Sequence, residues 1–285
     1  MRKQIFFSLL TLLAVASVLA QAPAPLPPVR IILVGDSTMA VSSGWGPGFS
    51  KDVVPEVTFL NMARGGRSSG SYRAEGSWAR VIDVLKSNAN FKATYVLIQF
   101  GHNDQPGKPG RSTNLTNEFP VNIRQYVSDV VSNGAKPVLI TPLTRRSFKD
   151  GQVRNDLLPW ADATKKVAAE MGVPVLDLNA DSVAAVQKMG PVEANTLAMA
   201  PPPPIVAESA ASGNSVPAPK TAVPTNAASA TTNSVAGNAV VERKGEAAPV
   251  FDYTHLGAKG SAFFARMVAD ELAKAVPDLQ PYLKP

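Results

Sequence analysis

Residues 31–38 read Ile31-Ile32-Leu33-Val34-Gly35-Asp36-Ser37-Thr38. The apolar run is short and stops at Gly35, as a buried strand does. The device recurs downstream: Val57 to Leu60, Tyr95 to Ile98 ending near Phe100-Gly101, Val138 to Ile140 after Pro137, and Val173 to Leu176 after Gly172. Between these runs, helical patterns cover Trp78 to Lys86, Glu118 to Ser132 and Trp160 to Glu170. Short apolar strands alternating with amphipathic helices predict an α/β fold, with a central, mostly parallel sheet of about five strands covered on both faces. In such sheets functional residues gather at the C-terminal ends of the strands. That directs attention to the polar residues that follow Gly35.

The chain has 285 residues, 45% of them hydrophobic, and a mean hydropathy near zero. This supports one globular domain with a sizeable core. The first twenty residues are a different material. Arg2 and Lys3 precede an almost wholly apolar stretch from Ile5 to Val18, and Val18-Leu19-Ala20 or Ala20-Gln21-Ala22 offers a small-residue cleavage pattern. This is the layout of a secretory signal peptide, assigned to residues 1–22. The competing reading is a membrane anchor, but the run is short beside the roughly 20 residues that a bilayer about 30 Å thick requires. After cleavage the protein is expected in the periplasm or the medium, free of membrane, as a monomer. Residues 23–29 are a Pro-rich lead-in, and the domain proper occupies 30–285.

The absence of cysteine excludes disulfides, thiolate metal sites and a cysteine nucleophile, so the core alone must hold an exported chain together. The net charge of +6 is mild and unclustered, so nucleic-acid binding is not expected; an acidic polysaccharide is compatible with it. One region breaks the strand–helix alternation. Residues 190–249 are rich in Ala, Pro, Ser, Thr, Asn and Val, contain the run Pro201 to Pro204, and have no aromatic residue. So little burial cannot offset the entropy of ordering, and a disordered or loosely packed insertion is predicted. Phe251 restarts the patterned chain, and Ala258 to Val276 follows as an amphipathic helix whose Phe263, Phe264, Met267, Val268 and Leu272 belong to the core.

The chain has two histidines, each in a compact polar cluster. Gly35-Asp36-Ser37-Thr38 places a serine on a strand-to-helix turn, where its hydroxyl and backbone N–H can face one space; a plain helix cap is the alternative. Asn61-Met62-Ala63-Arg64-Gly65-Gly66-Arg67-Ser68-Ser69 follows the second strand, and its paired glycines let backbone approach a ligand or make a tight turn. Gly101-His102-Asn103-Asp104 follows the third strand and offers a neutral amide donor. Asp252-Tyr253-Thr254-His255 precedes the last helix. Residues three apart on a helical turn share a side, so Asp252 can orient the His255 ring and fix its tautomer, as a serine nucleophile requires of its base.

In this order the four clusters resemble the GDSL/SGNH hydrolase family, across residues 30–275 apart from 190–249. Within it, Gly35-Asp36-Ser37-Thr38-Met39-Ala40, Gly66-Arg67-Ser68, Phe100-Gly101-His102-Asn103-Asp104 and the Asp-x-Thr-His-Leu of residues 252–256 look like the rhamnogalacturonan acetylesterase branch. The resemblance implies a three-layer α/β/α sandwich and a secreted serine esterase that removes acetyl groups from acetylated rhamnogalacturonan or pectin, without metal or organic cofactor. It assigns Ser37 as nucleophile, His255 and Asp252 as the rest of the catalytic set, and Ser37, Gly66 and Asn103 as oxyanion donors, with Gly65 the alternative to Gly66. Arg67, Trp45, Tyr72 and His102 are candidate substrate contacts. Arginine can pair a galacturonate carboxylate and rings can stack on sugars, while core packing of Trp45 and a structural ion pair for Arg67 compete.

Three rivals remain open. Acetylated xylan is the competing substrate. His102-x-Asp104 with Asp252-x-x-His255 offers imidazoles and carboxylates to a divalent ion, but leaves Ser37 and Gly66 unexplained. A non-catalytic carbohydrate-binding protein on the same fold is the third, although it would be expected to carry degraded motifs and all four are intact.

Overall fold

A computed structural model describes residues 26–218 and 250–285. The predicted signal peptide and the 219–249 part of the predicted insertion lie outside the described residues. In chain order the strands are β1 (Val29–Gly35), β2 (Val57–Asn61), β3 (Ala93–Gln99), β4 (Lys136–Ile140), β5 (Phe148–Lys149), β6 (Gln152–Val153) and β7 (Val175–Leu176). Five of them form one wholly parallel sheet in the order β2-β1-β3-β4-β7, and β5 and β6 make a small antiparallel ribbon. The helices are α1 (Gly46–Asp52), α2 (Ser69–Ala74), α3 (Ser77–Leu85), α4 (Phe119–Ser132), α5 (Leu158–Met171), α6 (Leu178–Asn195), α7 (Pro204–Ala211) and α8 (Ala258–Ala275).

The two-residue period of a strand sorts β1 between two cores. Ile31 and Leu33 pack with Leu97 of β3, Phe49 of α1, Val186 of α6 and Phe264 of α8. Ile32 and Val34 face the other way, toward Val96 and Ile98, Trp78 of α3, Tyr126 of α4 and Val167 of α5. Helices on both faces make the expected three-layer sandwich. At about 1.5–3 kcal/mol for each large apolar side chain fully buried, these two cores carry the stability that the missing cysteines cannot.

The strand order is of the flavodoxin kind and reverses between β1 and β3, and the crevice beyond the C-terminal ends of these two strands is where such sheets bind ligands. Gly35 ends β1 beside Gln99 of β3. A Cβ on Gly35 would stand 2.5 Å from the Gln99 carbonyl oxygen, so no larger residue fits there without moving a strand.

Four helices escape the pattern reading. α1 and α2 are short and rich in Gly and Ser, α7 opens on prolines, and α6 is interrupted at Gly190-Pro191, where Gly190 takes φ 73°. The last strand also shrinks: Val173 still donates its N–H to Ala168 at the end of α5. The predicted insertion needs correction as far as residue 218. Its first part completes α6 and forms α7, burying Ala194, Leu197, Val206 and Ala210. It is stitched on by Gly257 N–H to Leu197 O at 3.0 Å, Gly151 N–H to Gly213 O at 2.8 Å and Ser215 N–H to Phe148 O at 3.0 Å. Averaged over 190–249, the composition hides these small apolar residues, which order the chain through backbone bonds and modest burial without aromatics.

Candidate active site

The turn after β1 is a single tight coil in which Met39 and Ala40 both donate N–H groups to Asp36 O. α1 begins only at Gly46, so Ser37 sits on an isolated turn and not at a helix start. The turn is held from inside: Asp36 Oδ1 accepts from Thr38 N at 2.9 Å and Thr38 Oγ1 at 2.8 Å, and Ser43 Oγ donates to Ser37 O at 2.8 Å. Ser37 is left 8% exposed, with its hydroxyl turned to His255. Ser37 Oγ and His255 Nε2 are 2.8 Å apart, and His255 Nδ1 and Asp252 Oδ2 are 2.6 Å apart. Asp252 also caps its own turn, Oδ1 accepting N–H groups from Thr254 and His255, each at 2.6 Å. Burial works to raise the Asp252 pKa, but the His255 ring and the two backbone donors outweigh it and hold the carboxyl down at about 2. An ionised carboxylate only accepts, so Nδ1 carries the ring proton and Nε2 accepts from Ser37.

The loop after β2 comes alongside. Arg64 N–H donates to Gly35 O at 2.9 Å, and Asn61 Nδ2 donates to Met39 O at 2.9 Å. These bonds bring the Gly65-Gly66 pair to the serine turn, where a Cβ on Gly65 would lie 3.8 Å from Ser37 Cβ. Gly66 takes φ 76°, a conformation other residues adopt at a cost. Gly65 O faces Arg67 Nη1 at 2.6 Å, and the trans peptide therefore aims Gly66 N–H the opposite way. Among the described residues, neither Ser37 N–H nor Gly66 N–H has an acceptor within the chain. Ser68 then caps α2 in a reciprocal box with Ser71.

The loop after β3 supplies Asn103, 7% exposed, whose Nδ2 donates to Arg67 O at 3.1 Å and keeps a second N–H free. Asp104 ties this loop to the previous one. Its carboxylate accepts from Ser69 Oγ at 2.6 Å, Ser69 N at 3.1 Å and Thr113 Oγ1 at 2.9 Å. Burial nevertheless raises its pKa to about 6.

The candidate substrate contacts divide. Trp45 and Tyr72 are fully buried, Trp45 Nε1 donating to Gln99 Oε1 at 2.8 Å and Tyr72 Oη to Met62 O at 2.6 Å. Neither meets solvent, so both are core residues, each with its polar tip on a core acceptor. His102 is likewise sealed, 3% exposed with Nδ1 3.6 Å from Asp36 Oδ2. Burial lowers its pKa and keeps it neutral at pH 7. Arg67 stays at the rim with a third of its side chain exposed, although its Nε holds Glu75 at 2.9 Å. The four residues of the metal reading do not converge: Asp104 accepts from Ser69 and Thr113, His102 is sealed beside Asp36, and Asp252 and His255 form the relay to Ser37. Among the described residues no group of three or more His, Asp or Glu is placed to hold an ion.

Beneath the site runs a polar chain that the motifs did not announce. Gln99 Nε2 donates to Thr38 Oγ1 at 2.6 Å while its carbonyl takes Trp45. Gln99 ends an apolar strand, and a polar residue at the end of an otherwise apolar run was the available signal. Arg146 was also missed; it is buried next to the Asp252–His255 turn.

The chain matches the GDSL-like lipase/acylhydrolase family over residues 33–262, from the strand before Ser37 to the helix after His255. It is 34% identical over 178 residues to the rhamnogalacturonan acetylesterase RhgT of Bacillus subtilis, a match covering 60% of this chain and 73% of that one. It is 32% identical over 162 residues to the probable rhamnogalacturonan acetylesterase YesY of the same organism, covering 54% and 72%. The crystal structure of the Bacillus subtilis protein YxiM aligns over 88% of this chain with a TM-score of 0.59 at 20% identity. This chain spans 57% of that structure's length, and the likeness concerns the fold. No described helix is long and apolar enough to cross a membrane. The family match embraces all four polar clusters at the sheet's C-terminal edge, and the chain belongs to the GDSL-like lipase/acylhydrolase family as a carboxylic ester hydrolase.

Proposed function

We propose that this protein is an exported serine acetylesterase that deacetylates plant cell-wall polysaccharide, with acetylated rhamnogalacturonan as its substrate. The observation that carries it is the hydrogen-bonded relay from Ser37 Oγ through His255 to Asp252, at 2.8 and 2.6 Å. His255 takes the Ser37 proton as Oγ attacks the acetyl carbonyl carbon. The oxyanion that forms is met by the N–H groups of Ser37 and Gly66 and the free amide N–H of Asn103. Collapse breaks the ester C–O bond, and His255 returns the proton to the departing sugar oxygen. Water then attacks the acetyl-enzyme, His255 again removing its proton, and acetate leaves as Ser37 is reprotonated. Asp252 stays ionised throughout and orients the ring.

The substrate rests on two supports. RhgT and YesY carry the name of rhamnogalacturonan acetylesterase, and Arg67 stands part-exposed at the rim, where a galacturonate carboxylate can pair with Nη2, the end of the guanidinium that Glu75 and Gly65 O leave free. Export rests on the residue pattern of 1–22. The test is acetate release from acetylated rhamnogalacturonan, homogalacturonan and xylan by the wild type and Ser37→Ala. Release should be fastest on rhamnogalacturonan and fall by about 10⁴–10⁶ in the folded variant. Full activity in Ser37→Ala overturns the chemistry, whereas preference for xylan overturns only the choice of polysaccharide.

A further inference from the structure

Arg146 lies on the segment between β4 and β5, and its side chain is fully buried. Its backbone N–H donates to Tyr253 O at 2.9 Å. Its Nη2 donates to Asp252 O at 2.9 Å and to His255 O at 2.8 Å, and its Nη1 to Thr254 O at 3.3 Å. All four consecutive carbonyls of Asp252-Tyr253-Thr254-His255 thus end on one residue. The same turn spends two of its N–H groups on the Asp252 carboxylate. No strand or helix runs through residues 252–255: α8 begins only at Ala258. Apart from flanking bonds of Leu256 N–H to Ser43 O at 2.9 Å and Tyr253 Oη to Val216 O at 2.8 Å, the backbone of the turn is held by Arg146 on the acceptor side and Asp252 on the donor side.

We infer that Arg146 is the positioning residue of the histidine turn, setting where the His255 ring stands relative to Ser37; this rests on the serine-esterase reading of the site. A guanidinium is a rigid planar fork that can reach several carbonyls at once, while an ammonium on a flexible stem is a point donor. The arrangement is costly as mere packing. The partners are neutral carbonyls rather than a carboxylate, and Arg146 Nε is buried without any partner among the described residues. Apolar filling is often more stabilising at such a place. Burial lowers the Arg146 pKa to about 10, which leaves the fork charged at neutral pH. Its neighbour Arg145 reaches the other way, Nη2 donating to Gln105 Oε1 at 2.8 Å next to the Asn103 loop. The exit of β4 therefore grips both walls of the crevice.

The experiment is steady-state kinetics on an aryl acetate for the wild type, Arg146→Lys, His255→Ala and the double variant, with Ser37→Ala as reference and melting curves for all. Arg146→Lys should be folded and lose about 10- to 100-fold in kcat with KM nearly unchanged, the size of effect that a misplacement of about 1 Å produces. In the His255→Ala background the same substitution should cost nothing further, because its route to the chemistry is gone. Unchanged kcat in folded Arg146→Lys, or an equal fractional loss in both backgrounds, overturns the inference. If Arg146→Lys does not fold, neutral Arg146→Gln in sucrose is judged by the same two outcomes. An active Ser37→Ala enzyme would sink the underlying esterase reading instead, whatever Arg146 does.

Discussion

Two carboxylate–imidazole pairs stand at the same edge of the sheet, Asp252 with His255 and Asp36 with His102. In the first, ring and carboxylate are 2.6 Å apart and 33% and 42% exposed; in the second they are 3.6 Å apart and 3% and 0% exposed. The close pair comes from one turn, three residues apart, where chain geometry brings the groups together. The distant pair comes from two turns, Asp36 after β1 and His102 after β3, and 3.6 Å is too long for a hydrogen bond. Asp36 spends its other oxygen on Thr38, and the His102 carbonyl receives Lys108 Nζ. One pair faces the crevice and touches Ser37; the other is sealed on the turns that carry Ser37 and Asn103, with Asp36 Oδ2 and both His102 ring nitrogens buried without a hydrogen-bond partner among the described residues. Residue type does not separate a working histidine from a structural one, whereas access to the nucleophile does.

The difference can be pressed hardest through the histidines themselves. His255→Ala should lower kcat by about 10⁴–10⁶ with the melting temperature little changed, while His102→Gln should keep kcat within about tenfold and lower the melting temperature, because a buried polar site is refilled imperfectly. Comparable kcat losses in both would erase the distinction. Asp252→Asn comes next: the amide can donate to Nδ1 and impose the wrong tautomer, and kcat should fall by about 10⁴ in stopped-time acetate assays. Asn103→Ala should cost about 10²–10³ in kcat through the lost oxyanion donor, with substrate KM moving far less.

The smallest effects lie in stability against pH, where the two pairs should separate by window. The Asp252 pKa is depressed to about 2, so its contribution is fully present above the unfolded value of about 3.9 and is lost as pH falls toward 2. The pKa of His102 is also depressed, by burial; the unfolded chain binds the proton more readily, so its contribution is present above about 6.5 and declines below it. Urea unfolding of wild type and His102→Gln should therefore diverge most at neutral pH and converge on acidification below about 6.5. Asp252→Asn should lose its difference from wild type only below about pH 4. Taking differences removes the opposing contribution of Asp104, whose pKa of about 6 makes stability fall as pH rises between about 4 and 6.

Much of this architecture was legible in the residues. Five apolar runs ending at turns foretold five parallel strands because a strand buried on both faces has little room for polar side chains. Asp252 and His255 were legible as a pair because three-residue spacing brings side chains together before any tertiary contact forms. The sequence leaves Trp45 open between a substrate contact and core packing, and offers Tyr72 as a contact, because an aromatic ring beside a polar cluster looks the same in sequence whether it lines a crevice or fills a core; both are buried. Their burial follows from α1 and α2, short helices whose glycines and serines carry no clear period.

What the sequence by itself determined is local: the strand ends, the serine turn, the aspartate cap on the histidine turn, and the family motifs strung along the chain. The tertiary structure alone decided which groups meet across distance. It closed the 2.8 Å contact between Ser37 and His255, 218 positions apart, sealed His102 beside Asp36, ordered residues 190–218 through backbone bonds to Gly257, Gly151 and Phe148, and set Arg146 beneath four carbonyls. The reason is physical. Periodicity and turn chemistry act over a few bonds, whereas burial and long-range hydrogen bonds depend on where the layers stack, a property of the whole chain at once.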